Sequence, residues 1–354
     1  MKILITGGAG FIGSNLAKQF AKARPKADVT VLDNLKRRGS ELNLKAFKEL
    51  GIRFVHGDIR NPSDVNAAGT DFDLLIEASA EPSVHAGMDG LPDYVVQTNL
   101  FGTFNCLNFA RYHAQKFVFL STSRVYSIAP LRKIALEETP TRFRIGSEQV
   151  LPGVTTAGVL EDFNTTLPRS FYGATKLASE YLVQEFTEAY GLKSVIYRCG
   201  VVAGPGQIGT VDQGVFTRWV AHHYFQRPVV YTGFGGQGKQ VRDLLHPLDL
   251  FDLINSHFDM IDQNPGQVYN VGGGSSISTS LAELTTLCQE IVGRAVPAGT
   301  RPETSPVDVP LYISDCSRIS TAAGWKPARG VEVIVSDIFN WIRENESELR
   351  TIFA

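Results

Sequence analysis

The first part of this chain, up to about residue 198, alternates short aliphatic runs with longer stretches of helical periodicity. The candidate strands are Ile3–Thr6, Val29–Leu32, Arg53–His56, Leu74–Ala78, Lys116–Ser121 and Ser194–Tyr197. The amphipathic stretches between them include Gly13–Ala23, Tyr94–His113 and Tyr172–Tyr190. Strand and helix repeated in this order predict a parallel sheet that is covered by helices on both faces. Ligands of such sheets bind at the carboxyl ends of the strands, so residues at those ends are the first candidates for a site.

After about residue 198 the pattern changes, because glycine and proline become frequent and the predicted elements become short. This change predicts a smaller C-terminal α/β lobe that binds substrate, made of residues of about 199–241 and 266–354. The helical stretch Pro247–Met260 is expected to return to the sheet domain, which then comprises residues 1–198 and about 242–265. The predicted fold class is therefore α/β, a doubly wound parallel sheet with a smaller lobe. The weakly periodic stretch Thr139–Arg169 is long enough to be a functional loop.

The overall composition excludes some classes of function. The 354-residue chain has 34 basic and 36 acidic residues, a formal net charge of −2, and lacks the basic excess of nucleic-acid-binding proteins. No apolar stretch approaches the roughly 20 residues that span a bilayer, and the opening residues are typical of a strand rather than a secretion signal. Four scattered cysteines have no metal-ligand spacing, so we expect no metal site, no disulfide and a reducing, cytoplasmic setting.

A glycine-rich turn follows the first candidate strand directly. Gly7 would permit a tight turn, and Gly10 would let the backbone approach a pyrophosphate. Gly13 would let the following helix pack close to the strand. The next helix, which begins near Phe11 and Ile12, would direct its N-terminus at a bound pyrophosphate. Glycine turns are common by themselves, but this one lies between a strand and a helix. It therefore predicts a Rossmann-type dinucleotide site.

An aspartate at the end of the second candidate strand indicates which dinucleotide binds. Asp33 follows Gly13 by about 20 residues, where a carboxylate accepts hydrogen bonds from the adenosine ribose and repels a 2′-phosphate. We therefore expect NAD rather than NADP, with Asn34 as a neighbouring ligand. The basic run Lys36–Arg38 could attract a 2′-phosphate, although a solvated turn explains it better.

Two further strand ends carry candidate cofactor residues. Asp58 and Ile59 close the third strand, where they would hold the adenine edge, and an ordinary turn at a strand end is the alternative. The small residues Ala78, Ser79 and Ala80 end the fourth strand and would leave room for the cofactor to pass. With the glycine turn, they complete the predicted NAD site.

A tyrosine and a lysine four residues apart open one of the amphipathic helices. Tyr172 and Lys176 would share one helix face, where the ammonium can lower the pKa of the phenol towards neutrality. A tyrosine tuned in this way takes a proton from a hydroxyl group and returns it. A hydroxyl at the end of the preceding strand, from Ser121, Thr122 or Ser123, is expected to share that proton. The alternatives are a surface pair of residues and a simple turn cluster.

Taken together, these motifs resemble the extended short-chain dehydrogenases, which epimerise, dehydrate or reduce nucleotide sugars. The matching segments are GGAGFIG (7–13), Asp33, STSRVY (121–126) and YGATK (172–176), and the resemblance covers nearly the whole chain. In that family the catalytic hydroxyl lies four residues before the tyrosine of the VY pair, which implies Thr122. The resemblance also implies that Tyr172 and Lys176 contact the cofactor. Asn99 matches a family asparagine that supports the site, and we place it with the cofactor residues.

Further segments resemble one group in this family, the CDP-paratose 2-epimerases, also called CDP-tyvelose epimerases. They are VHGDIRN (55–61), EETPTRF (137–143), VDQGVF (211–216) and GKQVRDLLH (238–246). The resemblance implies an enzyme with tightly bound NAD that oxidises and re-reduces carbon 2 of a CDP-3,6-dideoxyhexose. Dehydratases of the family carry an Asp-Glu pair directly after the catalytic hydroxyl, where this chain has Ser123 and Arg124. The stretch Gly146–Ser170 departs from the group and leaves the sugar and base open.

The substrate-binding residues are predicted from the same resemblance. They lie at the end of the fifth strand and in the C-terminal half: Thr122, Ser123, Arg124, Gln207, Asp212, Gln213, Arg242 and Arg301. Arg242 has the guanidinium geometry that binds a diphosphate. For Arg301 an ion pair at the rim, with Asp308, is an equal alternative.

Two other functions stay open at this stage. One is a 4-epimerase that acts on a UDP-hexose. The other is a non-catalytic NAD(H) sensor, a class that typically loses the tyrosine or the lysine of the catalytic pair. For the enzyme, the family implies a nucleotide-sugar substrate and a homodimer or higher assembly that forms through Tyr94–His113 and Tyr172–Tyr190.

Overall fold

The computed structural model describes residues 1–88, 90–209 and 213–353. Its strands are β1 (Lys2–Thr6), β2 (Asp28–Asp33), β3 (Arg53–His56), β4 (Phe72–Glu77), β5 (Ala114–Thr122), β6 (Leu136–Glu138), β7 (Phe143–Ile145), β8 (Val154–Thr155), β9 (Gly158–Val159), β10 (Lys193–Cys199), β11 (Val201–Val202), β12 (Val229–Thr232), β13 (Val241–Leu245), β14 (Gln267–Val271), β15 (Ser278–Ser280), β16 (Ala298–Arg301) and β17 (Leu311–Tyr312). Its α-helices are α1 (Phe11–Ala23), α2 (Asn43–Glu49), α3 (Pro62–Asn66), α4 (Asp93–Val96), α5 (Gly102–His113), α6 (Ile128–Leu131), α7 (Phe171–Tyr190), α8 (Val215–Tyr224), α9 (Pro247–His257), α10 (Leu281–Val292), α11 (Ser317–Ala323), α12 (Val331–Glu344) and α13 (Glu346–Phe353). A π-helical segment, Gln97–Phe101, joins α4 to α5.

The predicted parallel sheet is confirmed. Within the described residues it has seven strands in the order β14-β10-β5-β4-β1-β2-β3, and every neighbouring pair is parallel. All six runs predicted from the sequence are strands of this sheet. The remaining strand, β14, is additional: the sequence analysis assigns its residues to the lobe, whereas they pair with β10.

Both faces of the sheet are buried, which explains why its strands have nearly continuous apolar sequences. Successive side chains of a strand point to opposite faces. Ile3 and Ile5 of β1 therefore belong to one core together with Phe20 of α1. Leu4, between them, belongs to a second core on the other face, together with Phe186 of α7. The sheet thus lies between two helical layers.

A smaller group of strands and helices follows the sixth sheet strand. β13 pairs antiparallel with β15 and parallel with β11 and β17. The helices α8, α10 and α12 share a separate core with residues such as Phe216, Leu284 and Ile338. The predicted helical return is present as α9, whose Phe251 ring centroid lies 4.9 Å from that of Phe20 in α1. The division into two domains with separate binding roles stays a prediction.

The stretch Thr139–Arg169 is ordered by contacts with the rest of the chain. It contains the short strands β7, β8 and β9. Asn270 of β14 donates a hydrogen bond to the Val159 carbonyl oxygen at 2.8 Å, and Arg198 of β10 donates to the Glu161 carbonyl oxygen, also at 2.8 Å. The stretch is therefore held at the carboxyl ends of two sheet strands, beside the predicted site.

Two properties bear on the expectations from composition. Cys106, Cys199, Cys288 and Cys316 all carry free thiols, and the first three are buried. Among the helices of the described residues, none combines the length and apolar character needed to cross a bilayer.

Candidate active site

The glycine turn lies at the carboxyl end of β1, and its geometry requires glycine. Gly7 has a φ of +63°, and a Cβ there would lie 2.7 Å from the Ser79 Cα. A Cβ on Gly13 would lie 2.3 Å from the Gly7 carbonyl oxygen. Gly10 precedes the first residue of α1 and donates its N–H to the Gly7 carbonyl oxygen at 3.1 Å. The turn therefore brings bare backbone and the N-terminus of α1 together, with Phe11 and Ile12 in the first helical turn, which is the arrangement that binds a pyrophosphate.

Asp33 at the end of β2 is attached to this turn. Its carboxylate accepts hydrogen bonds from the Ala9 N–H at 3.0 Å and from the Leu35 N–H at 2.8 Å. Burial raises the pKa of Asp33, and these backbone N–H groups oppose the rise. Each carboxylate oxygen can accept a second hydrogen bond. Asp33 is therefore placed to bind a ribose hydroxyl beside the turn.

The predicted residues at the end of β3 are already engaged with each other. Asp58 accepts a hydrogen bond from Asn34 at 2.8 Å and pairs with Arg60 at 2.7 Å. The hydrogen bond from Arg60 is the main reason that the pKa of Asp58 falls to about 2. The Ile59 side chain is buried beneath Gly102, where an added Cβ would lie 2.5 Å from it. These contacts favour the alternative of an ordinary turn at a strand end. Contact of Asp58 and Ile59 with the adenine stays a prediction.

The small residues after β4 lie where the sequence analysis places them. Ala78, Ser79 and Ala80 are half-buried and follow the strand directly. The Ala78 N–H donates to the Thr6 carbonyl oxygen at 3.2 Å. This hydrogen bond and the closeness of Ser79 to Gly7 show that residues 78–80 lie against the glycine turn.

One cation near the turn is less exposed than the solvated turn preferred in the sequence analysis implies. Lys36 and Arg38 are exposed, as a solvated turn requires, but Arg37 is half-buried. Arg37 lines a small cavity with Ala9 and Phe11. Its only sequence signal is membership of a short basic run. Arg37 is therefore an additional candidate for contact with the cofactor phosphates.

The structure brings Tyr172 and Thr122 together. Ser170 caps the start of α7 by accepting the Gly173 N–H at 3.2 Å. A Cβ on Gly173 would lie 2.0 Å from the Arg124 carbonyl oxygen, so glycine lets the helix start press against the end of β5. Burial raises the pKa of Tyr172 to about 12, while a hydrogen bond with Thr122 and the charge of Arg124 oppose the rise. The phenol is thus protonated at neutral pH and paired with a hydroxyl.

The neighbouring serines differ from Thr122. Ser121 donates its hydroxyl to Glu180 at 2.5 Å inside the core, and Ser123 is buried at the start of a short helical turn. Thr122 accepts the Arg124 N–H at 3.2 Å and still has a donor to share. This geometry favours Thr122 as the partner of Tyr172, as the family pattern implies.

Lys176 has a different partner from the one expected. Its Nζ lies 3.7 Å from Oε2 of Glu77 at the end of β4, and 4.0 Å from the centroid of the Phe119 ring. Lys176 and Glu77 have exposed side-chain fractions of 2% and 0%. The charge of Arg124 opposes the rise in the pKa of Tyr172, while the lysine is held by a buried acid that the sequence analysis misses. The sequence feature that could have identified Glu77 is its position, since it is an acid that directly follows the aliphatic run Leu74–Ile76.

Asn99 supports the site from inside the protein. It is fully buried in the π-helical segment. It accepts the Glu81 N–H at 2.8 Å and donates to the Glu81 carbonyl oxygen at 3.0 Å and the Thr175 hydroxyl at 3.3 Å. Asn99 thus ties the loop after β4 to α7, and this burial leaves it no surface for direct contact with a cofactor.

Two of the predicted substrate-binding arginines converge. Arg124 donates to the Val307 carbonyl oxygen at 3.2 Å, and Arg242 pairs with Asp308 at 2.6 Å. Burial, followed by the nearby charge of Arg242, lowers the pKa of Arg124 to about 10. The guanidinium group of Arg124 thus lies near Tyr172 and near that of Arg242, whose charge is paired with Asp308. Contact of these two groups with a diphosphate stays a prediction.

Two other predicted substrate residues, Gln207 and Arg301, do not join Arg124 and Arg242. Gln207 is buried, donates to the Val202 carbonyl oxygen and accepts the Thr217 hydroxyl at 2.8 Å, so it holds its own loop. Arg301 is exposed at the end of β16. Gln213 is half-buried just before α8, and Asp212 lies outside the described residues.

The family comparison matches most of the chain. A family model described as the NAD dependent epimerase/dehydratase family matches residues 3–272. The chain is 30% identical over 352 residues to the CDP-paratose 2-epimerase of Salmonella typhi, covering 96% of this chain and 99% of that protein. It is 32% identical over 356 residues to a dTDP-glucose 4,6-dehydratase of Mycobacterium tuberculosis, covering 99% and 96%.

Solved structures share the fold over nearly the whole length. The UDP-glucose 4-epimerase of Thermus thermophilus, solved in complex with NAD, superposes with a TM-score of 0.77 at 26% identity. The match covers 97% of this chain and 99% of that one. The glycine turn, Asp33 and the pair formed by Tyr172 and Thr122 therefore lie in a fold that binds NAD in that relative.

Proposed function

Because this chain belongs to the NAD dependent epimerase/dehydratase family, it is an NAD-dependent enzyme, and we propose that it epimerises carbon 2 of a CDP-activated 3,6-dideoxyhexose. The observation that carries this proposal is the contact of Tyr172 with Thr122 beside the two guanidinium groups of Arg124 and Arg242. We infer that Tyr172 and Thr122 act as the acid–base pair and that the sugar nucleotide binds beside them.

The residues of the turn fit NAD. Gly7 and Gly13 leave no space for a side chain where backbone must approach a pyrophosphate. The first turn of α1 would bind the pyrophosphate, and Asp33 would bind the adenosine ribose. When bound, NAD supplies a reversible hydride acceptor for the sugar carbon.

The protein's own part of the reaction is proton transfer and positioning. As its phenolate, Tyr172 would take the proton of the sugar hydroxyl through the hydrogen bond that Thr122 shares, and as the phenol it would later return that proton to the oxygen. Arg124 and Arg242 hold the diphosphate, so that the sugar can turn within the site while the nucleotide stays fixed. A turned sugar presents its other face for re-reduction, which inverts the carbon.

The dehydratase relatives make elimination of water the main rival within the family. Overall identity does not decide between them, since the dehydratase is 32% identical and the 2-epimerase 30%. Elimination needs a second acid–base pair, which the family's dehydratases carry directly after the catalytic hydroxyl. This chain has Ser123 and Arg124 there, and a guanidinium does not give up its proton at physiological pH. The site therefore favours epimerisation.

The 4-epimerase alternative is supported by the fold match to a UDP-glucose 4-epimerase. The sensor alternative is weaker, because Thr122, Tyr172 and Lys176 are all present and buried or half-buried at one place.

A substrate panel separates these functions. The purified protein is incubated with CDP-paratose, UDP-galactose and dTDP-glucose, and the products are identified by NMR. We expect inversion at carbon 2 of CDP-paratose only. Conversion of dTDP-glucose to a 4-keto-6-deoxy product, or of UDP-galactose to UDP-glucose, would replace the proposal with the corresponding rival.

Tyr172→Phe tests the role of the phenol. Loss of a general acid–base should lower turnover by about 10² to 10⁴-fold and leave NAD bound. Tyr181→Phe is the matched control, because this tyrosine is exposed on the same helix. Equal turnover in the two variants would exclude Tyr172 as the acid–base.

A further inference from the structure

The buried acid under the catalytic helix has no role in the mechanism above. We propose that Glu77 is a positioning residue that keeps Lys176 protonated, and that it affects turnover mainly through that lysine. The catalytic consequence rests on the proposed function, whereas the charge state of Lys176 does not.

The two side chains form a pair that solvent cannot reach. Glu77 ends β4 and Lys176 lies in the second turn of α7, with 3.7 Å between Oε2 and Nζ. The Phe119 ring of β5 faces the same ammonium, with its centroid 4.0 Å away, a contact that favours a cation over a free amine. The ammonium is therefore held between an acid and an aromatic face, and the acid directly precedes Ala78–Ala80 in the chain.

Other titratable groups face Lys176, but they are already neutralised or neutral. Glu180, one turn along α7, receives hydrogen bonds from Arg198 at 2.7 to 3.1 Å and from Ser121 at 2.5 Å. Cys199 of β10 is a neutral thiol, because burial raises its pKa to about 12. The thiol of Cys106 in α5 faces Glu77, and burial raises its pKa as well. Among the described residues, Glu77 is thus the acid whose negative charge compensates the Lys176 ammonium.

Burial affects the two partners in opposite directions. It lowers the pKa of Lys176 and raises that of Glu77, and each group opposes the shift of the other. Without Glu77, the buried ammonium would have no compensating charge, so it would release its proton. The catalytic helix would then carry a neutral amine in place of an ammonium, and this is how Glu77 would affect turnover.

The decisive measurement is the protonation state of Lys176. The full-length protein is labelled with ¹³C at the lysine ε-carbons, and the Lys176 signal is assigned from its loss in Lys176→Met. We expect an ammonium signal at neutral pH in the wild type and a free amine in Glu77→Gln, with the titration midpoint lowered by about two units or more. Glu77→Asp, which keeps the charge, should restore the ammonium.

Glu185→Gln is the matched control, because Glu185 is an exposed acid of the same helix. It should leave the Lys176 signal unchanged. The proposal fails if Lys176 remains an ammonium in Glu77→Gln with the wild-type midpoint, or if the wild type already holds a free amine. Because no substrate is needed, these outcomes are separate from failure of the proposed function.

A second variant covers the case in which Glu77→Gln does not fold. Lys176→Met with Glu77→Gln removes both charges and leaves no unpaired buried charge. If Glu77 acts through the lysine, the double variant has the turnover and pH profile of Lys176→Met. A further loss of turnover relative to Lys176→Met would mean that Glu77 acts on the reacting groups directly, and would overturn the proposal.

Discussion

Gly13 is the glycine with the least room around it in the turn. A Cβ there would lie 2.3 Å from the Gly7 carbonyl oxygen and 2.7 Å from the Gly8 Cα, both of which are backbone atoms. Gly13→Ala should therefore lower the free energy of unfolding by about 1–3 kcal/mol, the usual cost of overpacking. It should also weaken NAD binding, since the turn must open. Denaturant unfolding and NAD titration would measure the two effects.

Gly90→Ala is the control for this substitution. A Cβ on Gly90 meets nothing within 4 Å, and the residue has no positive φ. Its stability and NAD affinity should match those of the wild type. An equal loss in both variants would show that the effect comes from glycine replacement in general and not from the crowded turn.

Asp243 gives the protein a pH-dependent stability. Burial raises the pKa of Asp243 from 3.8 to about 6, and hydrogen bonds from the Ser314 and Gly274 N–H groups oppose the rise. A carboxyl whose pKa is raised by folding stabilises the folded state at low pH, and that contribution is lost as the pH rises through the folded-state value. Between about pH 4 and 7, folding is therefore opposed more and more by the ionisation of Asp243.

Asp243→Asn removes this ionisation and keeps an oxygen that accepts the two N–H groups. Relative to the wild type, the variant should gain on the order of 3 kcal/mol in free energy of unfolding between about pH 4 and 7, because about two pKa units are involved. Denaturant unfolding at a series of pH values measures the difference. Asp259→Asn, at an exposed position, serves as control. A constant difference between Asp243→Asn and the wild type across this range would contradict the prediction.

At the residue scale, the sequence predicts what depends on local spacing. The crowded glycines and the position of Asp33 follow from a motif of fixed length, whereas the choice of Thr122 follows from the family resemblance. The pairing of Lys176 with Glu77 follows from neither, because β4 and α7 are far apart in the chain and meet only in the folded core. Arg37 is missed for a similar reason: its cavity is formed with Phe11 of a different element.

At the element scale, the aliphatic runs predict six of the sheet strands described above because both faces of this sheet are buried. β14 escapes detection because it contains Gln267 and Asn270, whose polar side chains interrupt the apolar run. Asn270 is nevertheless fully buried, and its side chain is satisfied by Val159 and by the Tyr126 hydroxyl at 2.7 Å. When the buried polar residues of a strand form their hydrogen bonds with residues far away in the chain, the sequence of the strand itself does not show the apolar pattern that predicts a buried strand.

The outer faces of α5 and α7 carry aromatic side chains that the chain itself does not cover. Phe104 and Tyr112 on α5 are 41% and 69% exposed, and Tyr181 on α7 is 55% exposed. The two helices adjoin, with the Phe104 and Phe186 ring centroids 6.2 Å apart. We predict that two copies of the chain pair through these helices.

Placing a charge in that face should separate the copies. Phe104→Glu combined with Tyr112→Glu is expected to convert a dimer into a monomer in sedimentation velocity, because a charge buried in an interface is costly. Leu91→Glu is the control, since Leu91 is 85% exposed but lies outside both helices. A wild-type monomer, or a dimer that tolerates both charges, would contradict the prediction.

At the scale of the whole molecule, a segment beyond the sheet domain lies over the cofactor turn. Asn15 of α1 donates to the Pro205 carbonyl oxygen at 2.9 Å. Arg37 donates to the Ile208 carbonyl oxygen at 3.4 Å, and a Cβ on Gly39 would lie 2.8 Å from the Ile208 side chain. The segment from Pro205 to Ile208 thus connects the smaller group of elements with the glycine turn.

Weakening these contacts should speed the release of NAD. Asn15→Ala combined with Ile208→Ala is expected to raise the dissociation rate of NAD about tenfold, which corresponds to about 1.4 kcal/mol of lost contact free energy. Stopped-flow displacement by an excess of a second dinucleotide measures the rate. Val230→Ala, at an exposed position, should release NAD at the wild-type rate. Unchanged release from the double variant would mean that the segment does not restrain the cofactor.

The position of β14 has a consequence for how the protein is made. This edge strand ends at Val271, and α8, β12 and β13 lie between it and β10 in the sequence. A nascent chain that has emerged only as far as β10 has the glycine turn and the acid–base pair, but its sheet has an open edge that can pair with another chain. Productive folding therefore waits until most of the chain has left the ribosome, and chaperone binding during synthesis should be strongest in that interval.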